Sequence, residues 1–476
     1  MKDSTRRLPS IGEAIIYLTL IIGVIVAGIW LRIGSPPYIM PLFFGAIVST
    51  LIALFLRNKW EDIQKEMIKV ISDSLVAVII IMIVGMMIGV WMIGGAIPAM
   101  IYYGLKVCTP GNMLPLTFIL CAFASIFTGT SFGTMATMGL ALVGVGIGLG
   151  MPPHVVAGAA VAGAYFGDKM SPMSDTTNMA PAMSGSTLYE HIFSMMYTTV
   201  PATVICLIIY AVIGNKYASG VMDDSAIVIM SDGLSKQFSI TYYALIPAFL
   251  VLVIAALRIP AILGLGVCFV VSVVFAMLLQ DAKFVPVMEA AFSGFSGYIP
   301  IDEADKLGTL LNRGGLKMMQ DTVTLILLAC MMGGALNQSG VLNVFAEKGV
   351  LKVARKPFQL VLGTMAYCYS ILLLSGNQVL GIILGGRTFQ EAYKEMKVHP
   401  KVLSRTLEDT STIIAPLIPW STASLYACRV MGVTTAYIPY ALLGFIVPIF
   451  TLLLAYTGYG MWRADGTPMW GKKSEK

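Results

Sequence analysis

Tyr165-Phe166-Gly167-Asp168-Lys169-Met170-Ser171-Pro172-Met173-Ser174-Asp175-Thr176-Thr177-Asn178 lies between strongly apolar segments, yet it carries two carboxylates, an ammonium, hydroxyls, an amide and a proline. In hydrocarbon a central Asp costs about 2.5–3.5 kcal/mol on insertion scales, and such residues face functional pathways. Proline removes a backbone donor and breaks the helix, leaving free carbonyls. Broken backbone at membrane depth survives only when buried in protein or lining a cavity. Carboxylate, hydroxyl and carbonyl oxygens together are what a hard monovalent cation uses in place of water. The stretch therefore reads as half of an ion site in an all-α, polytopic membrane protein.

Composition supports that class. The chain has 476 residues, 57% of them apolar and 12% charged, with mean hydropathy +0.83. Soluble domains carry about 25% charged residues. The net charge of +6 comes from basic loops and does not indicate a nucleic-acid surface. The first apolar run, 11–33, is too long for a signal h-region and reads as an uncleaved span. Seven cysteines lie apart, with no Cys-x-x-Cys pair, and read as small buried hydrophobes. His154, His191 and His399 have no metal-ligand spacing and read as interfacial or loop residues. No Walker lysine motif occurs, so no ATP motor is encoded in these residues, and no cofactor is expected.

Working outward, apolar windows mark about 14 membrane-entering segments. They lie near 11–33, 38–57, 71–95, 113–129, 131–150, 153–167, 190–214, 236–257, 259–280, 319–340, 357–374, 376–392, 403–428 and 438–460. Several are short or Gly-rich, so about 12–14 segments, some broken or re-entrant, are expected. Basic residues cluster before the first span (Arg6, Arg7), after the second (Arg57, Lys59, Lys65, Lys69), after the tenth (Lys348, Lys352, Arg355, Lys356), after the twelfth (Lys394, Lys397, Lys401) and at the end (Lys472, Lys473, Lys476). With both termini cytoplasmic, all of these fall inside, as the positive-inside rule requires.

An internal repeat follows. A shift of 247 positions brings Gly129 onto Gly376, Gly139 onto Gly386, Pro153 onto Pro400, Pro172 onto Pro419, Ser174 onto Ser421 and Val200-Pro201 onto Val447-Pro448. Upstream, a shift of 245 pairs Gly95 with Gly340 and Gly104 with Gly349. The expected division is a first repeat at 11–214 (core 71–214), a connecting loop at 215–235 and a second repeat at 236–460 (core 319–460). An odd number of crossings separates equivalent segments, so the repeats are inverted. Inverted repeats with interrupted, Gly/Pro-containing segments are the signature of secondary transporters, with the site near the midplane.

Two polar breaks recur in each half. The first is Thr128-Gly129-Thr130-Ser131, matched by Ser375-Gly376-Asn377-Gln378. Its hydroxyls, amides and exposed carbonyls suit sodium; equally, small residues of this kind serve helix crossings. The second is 167–178, matched by Ala415-Pro416-Leu417-Ile418-Pro419-Trp420-Ser421-Thr422. The first copy holds Asp168 and Asp175; the second has no acid in the loop but Glu408 and Asp409 just before it. A proton-coupled exchanger needs a carboxylate that sheds a proton and holds the cation, and the two ligands compete for it. Asp168, Asp175, Asp409 and Glu408 are the candidate ion- or proton-binding residues. Gly129, Thr130, Ser131, Ser171, Ser174, Thr176, Asn178, Ser375, Asn377, Gln378 and Thr422 are the candidate ligands around them. The sodium itself is expected at Asp168, Asp175, Thr130 and Asn377. The structural alternatives are an Asp168–Lys169 pair, Asp175 as an N-cap and Glu408-Asp409 as the start of a cytoplasm-facing helix. Asp73 and Asp321 sit at segment starts, and Arg387 and Arg429 either neutralise a carboxylate substrate or snorkel to the interface.

The residues 164–178, Gly129-Thr130-Ser131-Phe132-Gly133-Thr134, and Leu407-Glu408-Asp409 followed by Pro416-Leu417-Ile418-Pro419-Trp420 resemble the NhaC-type sodium/proton antiporter family of the ion-transporter superfamily. The similarity spans about residues 10 to 460. The resemblance implies exchange of Na+ for H+ at a bacterial plasma membrane. Relatives also look like malate–lactate exchangers and amino-acid carriers, so a small organic acid is a second candidate cargo; the bilayer and a second copy of the chain are the remaining partners expected. Two other classes fit less well. An intramembrane aspartyl protease needs paired acids sharing a proton and usually a Tyr-Asp dipeptide, which this chain lacks. A passive channel does not call for inverted repeats with broken segments.

Overall fold

The computed structural model describes residues 7–33, 38–218, 224–257, 259–302, 305–352 and 354–470. The expected basic positions Arg6 and Lys472, Lys473 and Lys476 lie outside the described residues. Helices in chain order are α1 (Ile11–Trp30), α2 (Ile39–Phe55), α3 (Trp60–Ile93), α4 (Ala96–Val107), α5 (Pro110–Thr128), α6 (Ser131–Gly148), α7 (Pro153–Met170), α8 (Asp175–Ser184), α9 (Leu188–Ala218), α10 (Asp224–Gln237), α11 (Ile246–Ala256), α12 (Ala261–Gln280), α13 (Phe284–Ser293), α14 (Leu316–Ser339), α15 (Pro357–Ser375), α16 (Gln378–Glu395), α17 (Pro400–Ile414), α18 (Thr422–Met431) and α19 (Leu443–Thr457). No β-strand occurs among the described residues; two isolated bridges, one of them Val398 to Arg463, pin the C-terminal segment.

Eight of the described helices are long and apolar enough to span a bilayer, or nine if the bent pair Ile227–Gln237 and Tyr242–Ile254 counts as one span. Phe123, Ile208, Val270 and Leu278 stand exposed on these helices, as a lipid-facing surface requires. The 12–14 expected segments exceed this number for a physical reason. The window 403–428 is interrupted by the break at 415–421, and the window 153–167 lies in α7, whose last turn carries Asp168 and Lys169 and which stops at the break at 171–174; beyond the two breaks stand the half-helices α8 and α18 with 10 residues each. Such lengths do not cross about 30 Å of hydrocarbon. The window 71–95 belongs to a helix that already starts at Trp60 and has 34 residues; its charged first turns extend beyond the apolar layer. The segment 215–235 is not a plain loop, since α9 runs to Ala218 and α10 starts at Asp224.

Helix boundaries follow local chemistry and repeat at the sequence offset. α5, α7, α15 and α17 each open on a proline at the first position, where its missing N–H costs nothing. α5 and α15 end on Gly129 and Gly376, at φ 65° and 61°; α8 and α18 end on Gly185 and Gly432, at φ 80° and 71°. Left-handed caps of this kind favour glycine. α3 and α14 are likewise followed by the left-handed Gly95 and Gly340. Gly163 and Gly167, one helical turn apart on α7, let the backbone of α5 at Phe118 and Ala122 approach closely, the small-residue packing that membrane helices rely on.

The buried apolar residues form two large cores. One takes most of its residues from 70–210, the other from α1, α2 and 325–407. The half-helices are exchanged between them. Ala180 of α8 lies in the second core, whereas Tyr426, Ala427 and Met431 of α18 lie in the first. The Tyr426 ring packs edge-on against Phe132 of α6, 4.6 Å between centroids, and its hydroxyl donates to the Phe132 carbonyl at 3.1 Å. The breaks of the two halves are thereby drawn toward one another.

Candidate functional site

α17 has one of the most polar sequences of any helix here, yet every residue from Lys401 to Ile413 is buried. Buried polar groups must find partners or a ligand. Thr406 returns its hydroxyl to the Val402 carbonyl at 2.8 Å. Ser404 bonds His191 Nδ1 of α9, so His191 is a core residue and not the interfacial one expected. The Arg405 guanidinium donates to the Gly460 carbonyl at 2.8 Å and lies 5.9 Å from the Trp462 ring centroid. Asp409 forms an ion pair with Lys169 of α7, both side chains wholly buried. It also accepts from Thr451 at 2.6 Å and Thr198 at 3.3 Å. Lys169 thus reaches across to the second half of the chain and does not pair with its neighbour Asp168. Glu408 and Asp409 lie in the third turn of α17, so they do not start a surface helix.

Asp168 occupies the last turn of α7, 5% exposed. Ser131, at the start of α6, donates to its Oδ2 at 2.7 Å. This joins the first and second breaks of the first half. The backbone freed by Pro172 is held by side chains. Thr177 donates to the Asp168 and Lys169 carbonyls at 3.1 and 3.0 Å, Ser171 to the Ile126 carbonyl at 2.7 Å, and Asn178 to the Ser174 and Pro172 carbonyls at 2.8 and 2.9 Å. Ser174 and Thr176 share a 3.1 Å hydroxyl contact. Thr130 caps α6 by accepting from the Gly133 N–H at 3.3 Å. Asp175 is exposed at the first position of α8, with Ser174 and not Asp175 as the N-cap.

In the second half the same devices recur without an acid. Ser375 donates to the Ile371 carbonyl at 2.8 Å, and Thr422 donates to the Gly376 carbonyl at 3.2 Å. Asn377 accepts from the Val379 N–H at 2.9 Å and donates to Ser74 of α3 at 3.2 Å. Its oxygen and amide are therefore both engaged at this break. Gln378 is buried, and its side-chain oxygen has no hydrogen-bond partner among the described residues.

Asp168, Asp175, Glu408, Lys169 and Asp409 form one electrostatic group. Asp168 feels the charge of Asp175, and Glu408 feels those of Lys169 and Asp168. Lys169 is committed to Asp409, which Arg405 also supports. Among the described residues neither Asp168 nor Glu408 has an ion pair, and Glu408 has no hydrogen-bond partner at either oxygen. The cluster thus holds more buried negative charge than its own cations balance. No group of three His, Cys, Asp or Glu suited to a metal ion occurs among the described residues, so any cation here must be held by mixed carboxylate, hydroxyl and carbonyl oxygens. Outside the cluster, Arg429 pairs with Asp321 at 2.5 Å, Arg387 is exposed, and Asp73 lies within α3 rather than at its start. Six of the seven cysteines are buried and all are free, as expected.

A profile of the Na+/H+ antiporter family matches residues 163–459, from α7 through the C-terminal end of α19. The chain belongs to the Na+/H+ antiporter family. The relatives of this antiporter-family chain are matched along almost their whole length. It is 33% identical to the Na(+)/H(+) antiporter NhaC of Alkalihalophilus pseudofirmus, covering 95% of this chain and 96% of the relative. It is 32% identical to the malate-2H(+)/Na(+)-lactate antiporter of Bacillus subtilis, covering 97% of each. It is also 32% identical to the arginine/ornithine antiporter ArcD of Halobacterium salinarum, covering 96% and 94%.

Proposed function

We propose that this chain exchanges sodium for protons across a bacterial plasma membrane, with both termini cytoplasmic, and carries its cargo without chemical conversion. The observation that supports this most is Asp168, a buried carboxylate held by Ser131 where two helix breaks meet, inside a cluster whose acids outnumber their cationic partners. An excess buried carboxylate is tolerated only when a proton or a bound cation neutralises it. The two therefore exclude each other at one site, which is the physical content of antiport. Asp168 is the central exchanging acid of this reading; Ser131 positions it; Asp175 marks the watery mouth; Asp409 is the counter-charge of Lys169.

The matched helix boundaries support two structural repeats of opposite orientation, and the exchanged half-helices α8 and α18 are suited to alternating access around them. A potential of 100 mV contributes about 2.3 kcal/mol per net charge moved, enough to drive sodium export when protons outnumber sodium ions. The relatives named for malate–lactate and arginine–ornithine exchange favour a second reading, in which a small organic solute is the cargo.

Liposomes containing purified protein and a trapped pH dye separate the two. Sodium alone is expected to collapse an imposed pH gradient, and Asp168→Asn to abolish that response while the protein still inserts. A response that appears only with malate, lactate or arginine added overturns the sodium/proton reading in favour of the second.

A further inference from the structure

We propose that Glu408 is the centre of a second monovalent-cation subsite, separate from Asp168–Ser131 and built from the Glu408 carboxylate with the hydroxyls of Thr412 and Thr176. This deepens the exchange reading and rests on it. Glu408 is 0% exposed, and neither carboxylate oxygen has a hydrogen-bond partner among the described residues. Thr412 lies one turn further along the same face of α17, and its hydroxyl is also buried and unpartnered. Thr176, in the first turn of α8, faces the carboxylate from the opposite half of the chain. Its hydroxyl touches Ser174 at 3.1 Å, which leaves it lone-pair capacity to offer a cation.

The cation within reach of Glu408 from inside the protein is Lys169, and it is paired with Asp409. An ionised carboxylate left alone in such a place is strongly penalised. A proton or a small hard cation removes that cost. The donors are all oxygens, which selects a hard ion over a soft one. Asp168 carries its own hydroxyl donor, Ser131, on a different helix, so the two acids offer separate ligand sets, although Glu408 feels the Asp168 charge and their neutralisation is coupled.

The test is equilibrium binding of radioactive sodium to the purified full chain in detergent at alkaline pH. Two ions per wild-type chain are expected, one for Asp168→Asn, one for Glu408→Gln and none for the double variant. Thr412→Ala in the Asp168→Asn background is expected to weaken the remaining ion about tenfold, and it leaves the acid in place should Glu408→Gln fold poorly. The proposal is overturned if Glu408→Gln binds two ions like wild type. It is equally overturned if wild type binds a single ion that Asp168→Asn removes and Thr412→Ala leaves unchanged. Sodium-induced proton release, measured alongside in weak buffer, isolates the parent reading: two sodium ions bound with no proton released refutes exchange but not the subsite.

Discussion

Replacing Lys169 by Met, Asp409 by Leu, and then both, tests whether the buried pair between α7 and α17 is a scaffold. Both side chains are wholly buried. Removing one partner strands the other charge, a loss of about 3–5 kcal/mol, whereas replacing a whole buried pair by apolar groups is often neutral. The outcome for the double variant depends on what else Asp409 holds. Thr451 and Thr198 donate to it, but Thr451 also reaches the Val447 carbonyl at 3.1 Å and Thr198 the Met195 carbonyl at 3.0 Å. Neither hydroxyl is orphaned when the acid goes, so no further penalty of about 1–3 kcal/mol arises. Each single variant should therefore lose about 3–5 kcal/mol of stability, and the double variant less than either. Denaturation of the purified proteins in detergent, followed by circular dichroism, measures this. A double variant as unstable as the two singles added together would refute the pairing and the role given to Lys169.

Three smaller tests follow from the breaks. Ser131→Ala removes a hydrogen bond to a charged group, worth about 1.5–3 kcal/mol, and should raise the sodium concentration for half-maximal dye response in liposomes at least tenfold. Gly129→Ala puts a Cβ on a left-handed residue and 2.8 Å from the Met173 backbone, while at Gly376 the nearest atoms are at 3.2 Å. Both lose the left-handed preference, about 1–2 kcal/mol, and thermal denaturation should show Gly129→Ala as the worse of the two. Asn377→Ala forfeits an N-cap worth about 0.5–2 kcal/mol and should lower thermal stability while leaving half-saturating sodium within about twofold, because its oxygen is already engaged by Val379.

The parts of the fold that were readable in the sequence are those with local causes. Gly129 and Gly376 fall at one offset because each ends a helix in the left-handed region, and Pro153 and Pro400 because each begins one. The membrane class and the position of the breaks follow from composition and from Pro172 and Pro416. What was not readable depends on packing between distant segments. Lys169 and Asp409 are 240 positions apart, and nothing in either neighbourhood names the other. His191 looked like a residue near a membrane surface, yet α17 covers it and supplies Ser404. α17 itself reads as a half-solvated helix, because Val402, Leu403 and Leu407 form an apolar stripe beside a polar face; that the polar face is buried as well depends on Lys169 of α7 and His191 of α9, which no local pattern names.

Glu408 and Asp409 show why counting acids along the chain overstates the number that can exchange. Adjacent residues on a helix point about 100° apart. One residue of rotation turns Asp409 toward Lys169, Thr198 and Thr451, and Glu408 toward Thr176 and Thr412. The first is neutralised by the protein's own cation and has no charge left to trade. The second has none of those partners and must take its neutralising charge from outside. The same logic separates Asp168, with one hydroxyl donor and no cation, from Asp175, whose charge solvent already screens. The exchangeable charge of the cluster is thus set by where Lys169 goes, and that lysine, placed by the close packing of α7 on α5, determines which acids remain for protons and sodium to share.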